Sequence, residues 1–70
     1  MNNNKLKLRI KIGDRIRDAR DSTTQTELAA AVGTTQAMIH RYEWGEQEPT
    51  VSRLIDIAKA LNIKPSQLID

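Results

Sequence analysis

The chain has 70 residues, which suits one small domain, and a domain of this size buries only about 60% of the surface that its unfolded form exposes. It has no cysteine, which excludes disulfides and thiolate metal sites, and its formal net charge is only +2. Its apolar runs are far shorter than the ~18 residues of a membrane span, and its polar start is not a signal peptide. We therefore expect a soluble, cytoplasmic protein with no membrane partner.

The composition favours an all-α fold. Strong helix formers are plentiful, and the β-branched residues are mostly single and set at helical spacing. With no Phe, one Trp and one Tyr, the core must be built from Leu, Ile, Val and Ala. An enzyme is disfavoured, because there is one His, no Gly-rich phosphate loop and no spaced cluster of metal ligands. We predict no catalytic residue, no metal site and no cofactor.

Residues 1–12 form a basic and apolar segment. Residues 1–20 hold seven Lys or Arg against two Asp, so this part of the chain forms either a basic face that attracts phosphates or a solubilising tail. Residues 5–12 read KLKLRIKI, and this strict alternation predicts a strand. The apolar stripe of the strand would consist of Leu6, Leu8, Ile10 and Ile12.

A helical domain is predicted for residues 13–70. Its first helix runs from Gly13 to about Asp21, and its second begins at about Gln25 because Thr24 and Glu27 have the spacing of a capping box. Gly33 ends the second helix, since the residue after a helix favours a left-handed conformation. The buried sides of these two helices are predicted to carry Ile12, Ile16, Ala19, Leu28, Ala29 and Val32.

A third helix is predicted over residues 35–42, capped by Thr34 or Thr35, so that it forms a helix-turn-helix unit with the second. A turn with Gly and Pro follows over residues 43–49, and Thr50 then caps a fourth helix over residues 51–61. Pro65 opens a last short helix through Ile69. Residues predicted to face the core in these elements are Ile39, Tyr42, Leu54, Ile57, Ala58, Leu61 and Leu68.

Taken together, these residues resemble the xenobiotic-response-element (XRE) family of helix-turn-helix proteins, which includes phage Cro proteins and phage repressors. The joint spacing carries the resemblance, which extends from about residue 13 to residue 69. The matches in the motif and the following turn are Gln25, Glu27, Leu28, Ala29, Val32, Gly33, Thr34, Thr35, Gln36, Ile39, Glu43, Gly45 and Pro49. The later matches are Leu54, Ile57, Ala58, Leu61, Ile63 and Leu68.

The resemblance implies a compact five-helix, lambda-repressor-like DNA-binding domain. It implies a sequence-specific regulator of transcription, most simply a repressor that binds a palindromic operator in double-stranded DNA as a homodimer. One short helix reads too few base pairs for useful specificity, whereas a dimer reads two half-sites. The resemblance also implies that Arg20 pairs with Glu43, although the link from Arg20 to Gln25 is about two residues shorter than usual.

In this family the third helix enters the major groove, which implies a set of contacts with DNA. Gln36 is expected to pair with adenine N6 and N7, Ala37 to meet a thymine methyl, and Arg41 to contact guanine or phosphate. The expected base contacts are Thr35, Gln36, Ala37 and Arg41. The expected phosphate contacts are Arg17, Gln25, Thr34, Met38 and His40.

Three arrangements are open for the strand in residues 5–12: pairing with the same strand of a second copy, lying along the DNA backbone, or disorder. We favour pairing because of the apolar stripe. The expected dimerisation residues are Leu6, Leu8, Ile10, Trp44 and Ile55.

A second hypothesis comes from two departures from the family pattern. The turn carries Glu46 and Glu48, which would repel phosphate, and residues 5–12 are an addition to the family core. Both features would suit an antitoxin-type interaction module that binds a small protein partner and for which DNA binding is secondary.

Overall fold

The computed structural model of the protein describes residues 4–70 and is all-α over that range. Its helices in chain order are α1 (Asn4–Arg20), α2 (Gln25–Val32), α3 (Gln36–Glu43), α4 (Val51–Ala60) and α5 (Ser66–Ile69). This confirms the all-α, five-helix fold, and the bounds of α2 to α5 agree with the predicted ones to within a residue. No helix in residues 4–70 is both long and apolar enough to cross a membrane.

The prediction of a strand for residues 5–12 is wrong. These residues form the first half of α1, which runs without interruption across the boundary placed at residue 12. Lys, Leu and Arg are good helix formers, and an unpaired strand edge would have no hydrogen-bond partner. The helix is anchored by Arg9, whose Nε donates to the carbonyl of Gly45 at 3.1 Å. Strand pairing between two copies is therefore excluded for residues 5–12.

The helix-turn-helix is formed by α2, α3 and the turn between them. Thr24 caps α2 and completes a capping box with Glu27, and Gly33 ends α2 in the left-handed region at φ 75°. The hydroxyl of Thr35 then caps α3 by accepting the N–H of Met38 at 3.1 Å. These local caps satisfy backbone groups that the short helices leave unpaired, so they fix where each helix begins.

One small hydrophobic core joins the helices. α1 packs against α3 and α5, and α2 packs against α3 and α4. The core consists of aliphatic side chains and one tyrosine: Ile12, Ile16, Leu28, Ala29, Ile39, Tyr42, Leu54, Ile57, Ala58 and Leu68. Val32, Met38, Leu61 and Ile63 are partly buried against it. A core of this kind holds α3 by one side only and leaves its other side at the surface.

The connections after α1 and α2 are tight. Asp21 adopts a left-handed conformation at φ 47°, and the N–H of Thr23 donates to the carbonyl of Arg20 at 2.7 Å. Because Asp21 is left-handed, the chain can reverse its direction within the short link between Arg20 and Gln25. On the other side of α2, the guanidinium of Arg53 on α4 donates to the carbonyl of Val32 and ties the two helices together.

α1 crosses the end of α3 at Gly13. A Cβ atom at this position would overlap the carbonyl oxygen of Glu43 and would lie 2.6 Å from that of Tyr42. These are backbone atoms, so they could not move aside without displacing the helix. The missing side chain is therefore what allows α1 to approach α3 so closely.

Gly13→Ala is expected to destabilise the domain by about 1–3 kcal/mol because the methyl group overpacks this crossing. Alanine is otherwise favoured over glycine inside a helix by ~1 kcal/mol, so the sign of the effect is informative. The control is Asp18→Ala, at an exposed position of α1, which should be neutral or slightly stabilising. Urea unfolding measures both; a Gly13→Ala variant as stable as the wild type would contradict the close approach.

The capping box of α2 predicts a pH dependence. The backbone N–H of Thr24, followed by its hydroxyl, stabilises the carboxylate of Glu27 and lowers its pKa. A lowered pKa in the folded state means that the contribution to stability is complete above the unfolded pKa of about 4.3 and is lost as the pH falls through the folded value.

In Glu27→Gln the amide can still accept a hydrogen bond but does not titrate. The difference in unfolding free energy between wild type and Glu27→Gln should therefore shrink as the pH is lowered below about 4. Thr24→Ala should keep part of this pH dependence, because the larger contribution comes from the backbone N–H. A difference that is constant from neutral to acidic pH would contradict this account.

Candidate nucleic-acid interface

The N-terminal end of α3 stands free at the surface. Gln36 and Ala37 are exposed there, and His40 and Arg41 are exposed one turn further on. Thr35 is exposed as well, although its hydroxyl is engaged in capping the helix. Polar and small side chains thus line the outer side of a helix whose inner side is fixed in the core.

A buried ion pair lies behind this helix. The side chain of Glu43, at the end of α3, is fully buried, and its two carboxylate oxygens accept from the guanidinium of Arg20 on α1. Arg20 Nε lies 2.6 Å from Oε2 and its Nη2 lies 3.0 Å from Oε1. This bidentate pair confirms the expected partnership, and the hydrogen bond to Glu43 raises the pKa of Arg20.

The ion pair continues outward as a chain of side-chain hydrogen bonds. The amide nitrogen of Gln25, the first residue of α2, donates to Glu43 Oε1 at 2.9 Å. The carbonyl oxygen of Gln25 in turn accepts from the amide nitrogen of Gln36, the first residue of α3. The side chain best placed to contact a ligand is therefore connected to the most deeply buried charge of the domain.

The Glu43 to Gln25 bond is a feature that the sequence did not reveal. Gln25 was expected to hold a phosphate, but its side-chain amide is bound to two neighbours within the domain. The two residues lie 18 positions apart, and no local spacing signals the bond. The first residue of α2 is thereby joined to the first residue of α3 through their side chains.

Arg17 and Trp44 form a second cluster at the other end of α3. The guanidinium of Arg17 lies 4.7 Å from the centre of the Trp44 ring and donates to the carbonyl of Glu43 at 2.8 Å. It also pairs with Asp14 at 2.6 Å, on an exposed part of α1. A cation at the end of a helix complements its dipole, so Arg17 has a structural role here. His40 makes a tilted contact with the same indole ring at 6.0 Å.

Two further residues that were expected to contact phosphate, Thr34 and Met38, are only partly exposed. Thr34 is half-buried and its backbone N–H donates to the carbonyl of Ala29 at 2.9 Å. Met38 is also half-buried, because it packs against the core. The DNA contacts assigned to individual residues remain predictions, but Gln36, Ala37, His40 and Arg41 have the exposed side chains that such contacts require.

The residues expected to form a dimer surface are all exposed. Trp44 is the most open of them, with 57% of its surface accessible, and Leu6, Leu8, Ile10 and Ile55 are exposed to a smaller extent. They do not share one element: three lie on α1, one follows α3 and one lies on α4. Gly45, the residue after Trp44, packs against α1, since a Cβ there would lie 3.1 Å from the side chain of Ile10.

The turn after α3 keeps its acidic character at the surface. Glu46, Gln47 and Glu48 are exposed, while the backbone N–H groups of Glu46 and Gln47 donate to the carbonyl of Arg41. Within residues 4–70, the structure contains no group of three or more His, Cys, Asp or Glu side chains that could hold a metal ion.

Comparison with known proteins agrees with this geometry. A family model described as helix-turn-helix matches residues 16–68. A protein named as an HTH-type transcriptional regulator in Sinorhizobium fredii is 36% identical over 61 residues, which is 84% of this chain. The chain spans only 43% of the length of that relative.

Two solved structures are similar over nearly their whole length. The restriction-modification controller protein C.AhdI from Aeromonas hydrophila superimposes with a TM-score of 0.88 at 25% identity, covering 94% of this chain and 99% of the other. The P22 c2 repressor, in complex with a synthetic operator, gives a TM-score of 0.79 at 33% identity, covering 84% of this chain and 92% of the other.

Arg20→Ala is expected to destabilise the domain by about 3–5 kcal/mol, because it leaves the buried Glu43 carboxylate without its cation. The matched control is Asp14→Ala, which removes the exposed ion pair with Arg17 and should cost no more than about 1 kcal/mol. Thermal and urea unfolding compare the two. Equal losses would show that the burial of Glu43 does not determine the strength of its pairing.

Proposed function

The chain belongs to the helix-turn-helix family of the Cro and repressor type, and we propose that it is a sequence-specific regulator of transcription that binds double-stranded DNA as a homodimer in the cytoplasm. The family is one of DNA-binding regulators and not an enzyme class. The observation that carries the proposal is the free N-terminal end of α3, where Gln36 and Ala37 are exposed on a helix that the core holds in place.

In this proposal α3 lies in the major groove and α2 crosses the DNA backbone. Gln36 pairs with adenine N6 and N7, and Ala37 meets a thymine methyl. Arg41 reaches a guanine edge or a phosphate, and Thr35 lies beside the bases at the start of the helix. The exposure of these side chains supports the assignment, because none has to leave the core to reach a base.

Phosphate contacts are proposed along both sides of α3. The first turn of α2 at Gln25, together with Thr34, approaches one strand, and His40 with the edge of Met38 approaches the other. Arg17 is proposed to contribute through N–H groups that point away from its bonds to Glu43 and Asp14, since a guanidinium has five donors. These contacts position the domain and do not read sequence.

A homodimer is proposed because one short helix reads too few base pairs for useful specificity. Two copies related by a two-fold axis would read a palindromic operator with half-sites about one helical turn apart. The exposed apolar side chains Leu6, Leu8, Ile10, Trp44 and Ile55 are the proposed source of the contact between copies. Bound over a promoter, such a dimer would act as a repressor by blocking polymerase. The similarity to a phage repressor whose structure contains a synthetic operator supports repression rather than activation.

One observation favours a second candidate, a module that binds a small protein. The exposed carboxylates of Glu46 and Glu48 lie in the turn that follows the proposed DNA-reading helix, where they would repel phosphate. A small partner that co-purifies with the protein, together with the absence of salt-sensitive DNA binding, would favour this candidate over the operator reader.

Selection of bound fragments from random duplex DNA at moderate salt tests the proposal. The expected result is a two-fold symmetric site with half-sites about 10 base pairs apart. Recovery of fragments with no common sequence would contradict a sequence-specific reader, and a single asymmetric site would contradict the dimer.

Gln36→Ala should relax the preference at one position of each half-site, at a cost of about 1–3 kcal/mol for the preferred sequence. The matched control is Gln47→Ala, since Gln47 is an exposed glutamine of the turn outside α3 and should leave that preference unchanged. Binding is measured by titrating each variant with duplexes that differ at the one position. An equal loss on every sequence would show that Gln36 does not read bases.

A further inference from the structure

We propose that Glu43 is a positioning residue for base recognition: its buried carboxylate, acting through Gln25, sets which hydrogen-bonding groups Gln36 presents to DNA. The inference rests on the proposed function, since it assumes that Gln36 reaches a base edge. It adds a cause for the choice of base, which the exposure of Gln36 does not by itself provide.

The first step concerns what Glu43 can do. Its side chain is fully buried, and both carboxylate oxygens accept hydrogen bonds from the guanidinium of Arg20. An ionised carboxylate only accepts hydrogen bonds. Whatever contacts Oε1 beside Arg20 must therefore present a donor. Gln25 occupies that position, and its Nε2 lies 2.9 Å from Oε1.

The second step concerns Gln25. A side-chain amide has a donor end and an acceptor end, and the donor end is committed to Glu43. Turning the amide over would bring its carbonyl oxygen against the carboxylate, with no proton between two acceptors in a part-buried site. The carbonyl oxygen of Gln25 is thereby directed at Gln36, whose Nε2 donates to it.

The third step concerns the hydrogen-bonding groups of the Gln36 side chain that are not bonded to Gln25. One of its two N–H groups is used on Gln25, so the carbonyl oxygen and the second N–H remain for DNA. One acceptor beside one donor matches adenine, which presents the N6 donor and the N7 acceptor in the major groove. A reversed Gln36 would present two N–H groups instead, which match the two acceptors of guanine, O6 and N7.

Glu43→Gln tests the chain of three residues. The new side chain has nearly the same size, but only one of its two ends accepts. If its oxygen stays on Arg20 Nε, its NH2 group faces Gln25, which must then turn over, and Gln36 turns over with it. We expect the half-site position contacted by Gln36 to change its preference from adenine towards guanine, lowering the ratio of the two affinities about tenfold or more.

Arg20→Lys is the matched control for stability. It weakens the ion pair, which Glu43→Gln removes, but leaves an acceptor-only carboxylate against Gln25. This variant should bind more weakly where it is less stable and still prefer adenine. Dissociation constants are measured for each protein on two duplexes that differ only by adenine or guanine at that position, at a temperature where thermal unfolding shows the protein to be folded.

A second variant keeps the inference falsifiable if Glu43→Gln does not fold. Gln25→Leu removes the amide between Glu43 and Gln36 and leaves the ion pair intact. Gln36 is then free to adopt either orientation, and the preference for adenine over guanine should largely disappear. Retention of the full preference in a folded Gln25→Leu would overturn the inference, whichever way the amide of Glu43→Gln is oriented against Arg20.

The wild type separates failure of this inference from failure of the proposed function. If the wild type reads a base other than adenine at the position that Gln36→Ala relaxes, the inference is wrong while the proposed function stands. If the wild type prefers no sequence, the proposed function is itself contradicted, and the inference falls with it. If Gln36→Ala changes no position, the base contact of Gln36 is contradicted and the inference falls, while a sequence-specific wild type leaves the proposed function standing.

Discussion

The buried pair of Arg20 and Glu43 is the interaction on which the arrangement of the motif depends. Glu43 ends α3 and Arg20 ends α1, so their two hydrogen bonds of 2.6 and 3.0 Å fix the distance between these helices. Such a pair is costly to bury and is strong only when its geometry is good and its remaining lone pairs are satisfied. Gln25 meets that condition by donating to the same carboxylate, which adds α2 to the junction.

The C-terminal end of α3 makes several further contacts with α1. Gly13 lets the backbone of α1 approach the carbonyls of α3, Arg17 donates to one of those carbonyls, and Arg9 donates to the next turn at Gly45. Cations at the C-terminus of a helix complement its dipole. Several arginines that the sequence presents as a basic face are thus partly used to hold α3. Fewer of their N–H groups are therefore free to donate to another ligand.

The sequence by itself determined α2 to α5 and their ends to within a residue. Thr24 with Glu27, Thr35 and Thr50 place the caps, and Gly33 requires a left-handed backbone, because these preferences act within four residues. Helical spacing of aliphatic residues identified most of the core, and the resemblance to a family supplied the pairing of Arg20 with Glu43. The exposed residues at the start of α3 followed from the same spacing, since a helix held by one side leaves the other open.

Tertiary structure alone decided the features that join distant parts of the chain. Residues 5–12 alternate as a strand would, yet they form a helix because α1 can continue along α3, where Ile10 and Arg9 meet Gly45. Period-2 patterning describes a strand only if a partner edge exists, and the sequence cannot supply that information. The bonds from Glu43 to Gln25 and from Arg53 to Val32 span 18 and 21 residues. Such contacts depend on where the packed helices place their side chains, which no local spacing encodes.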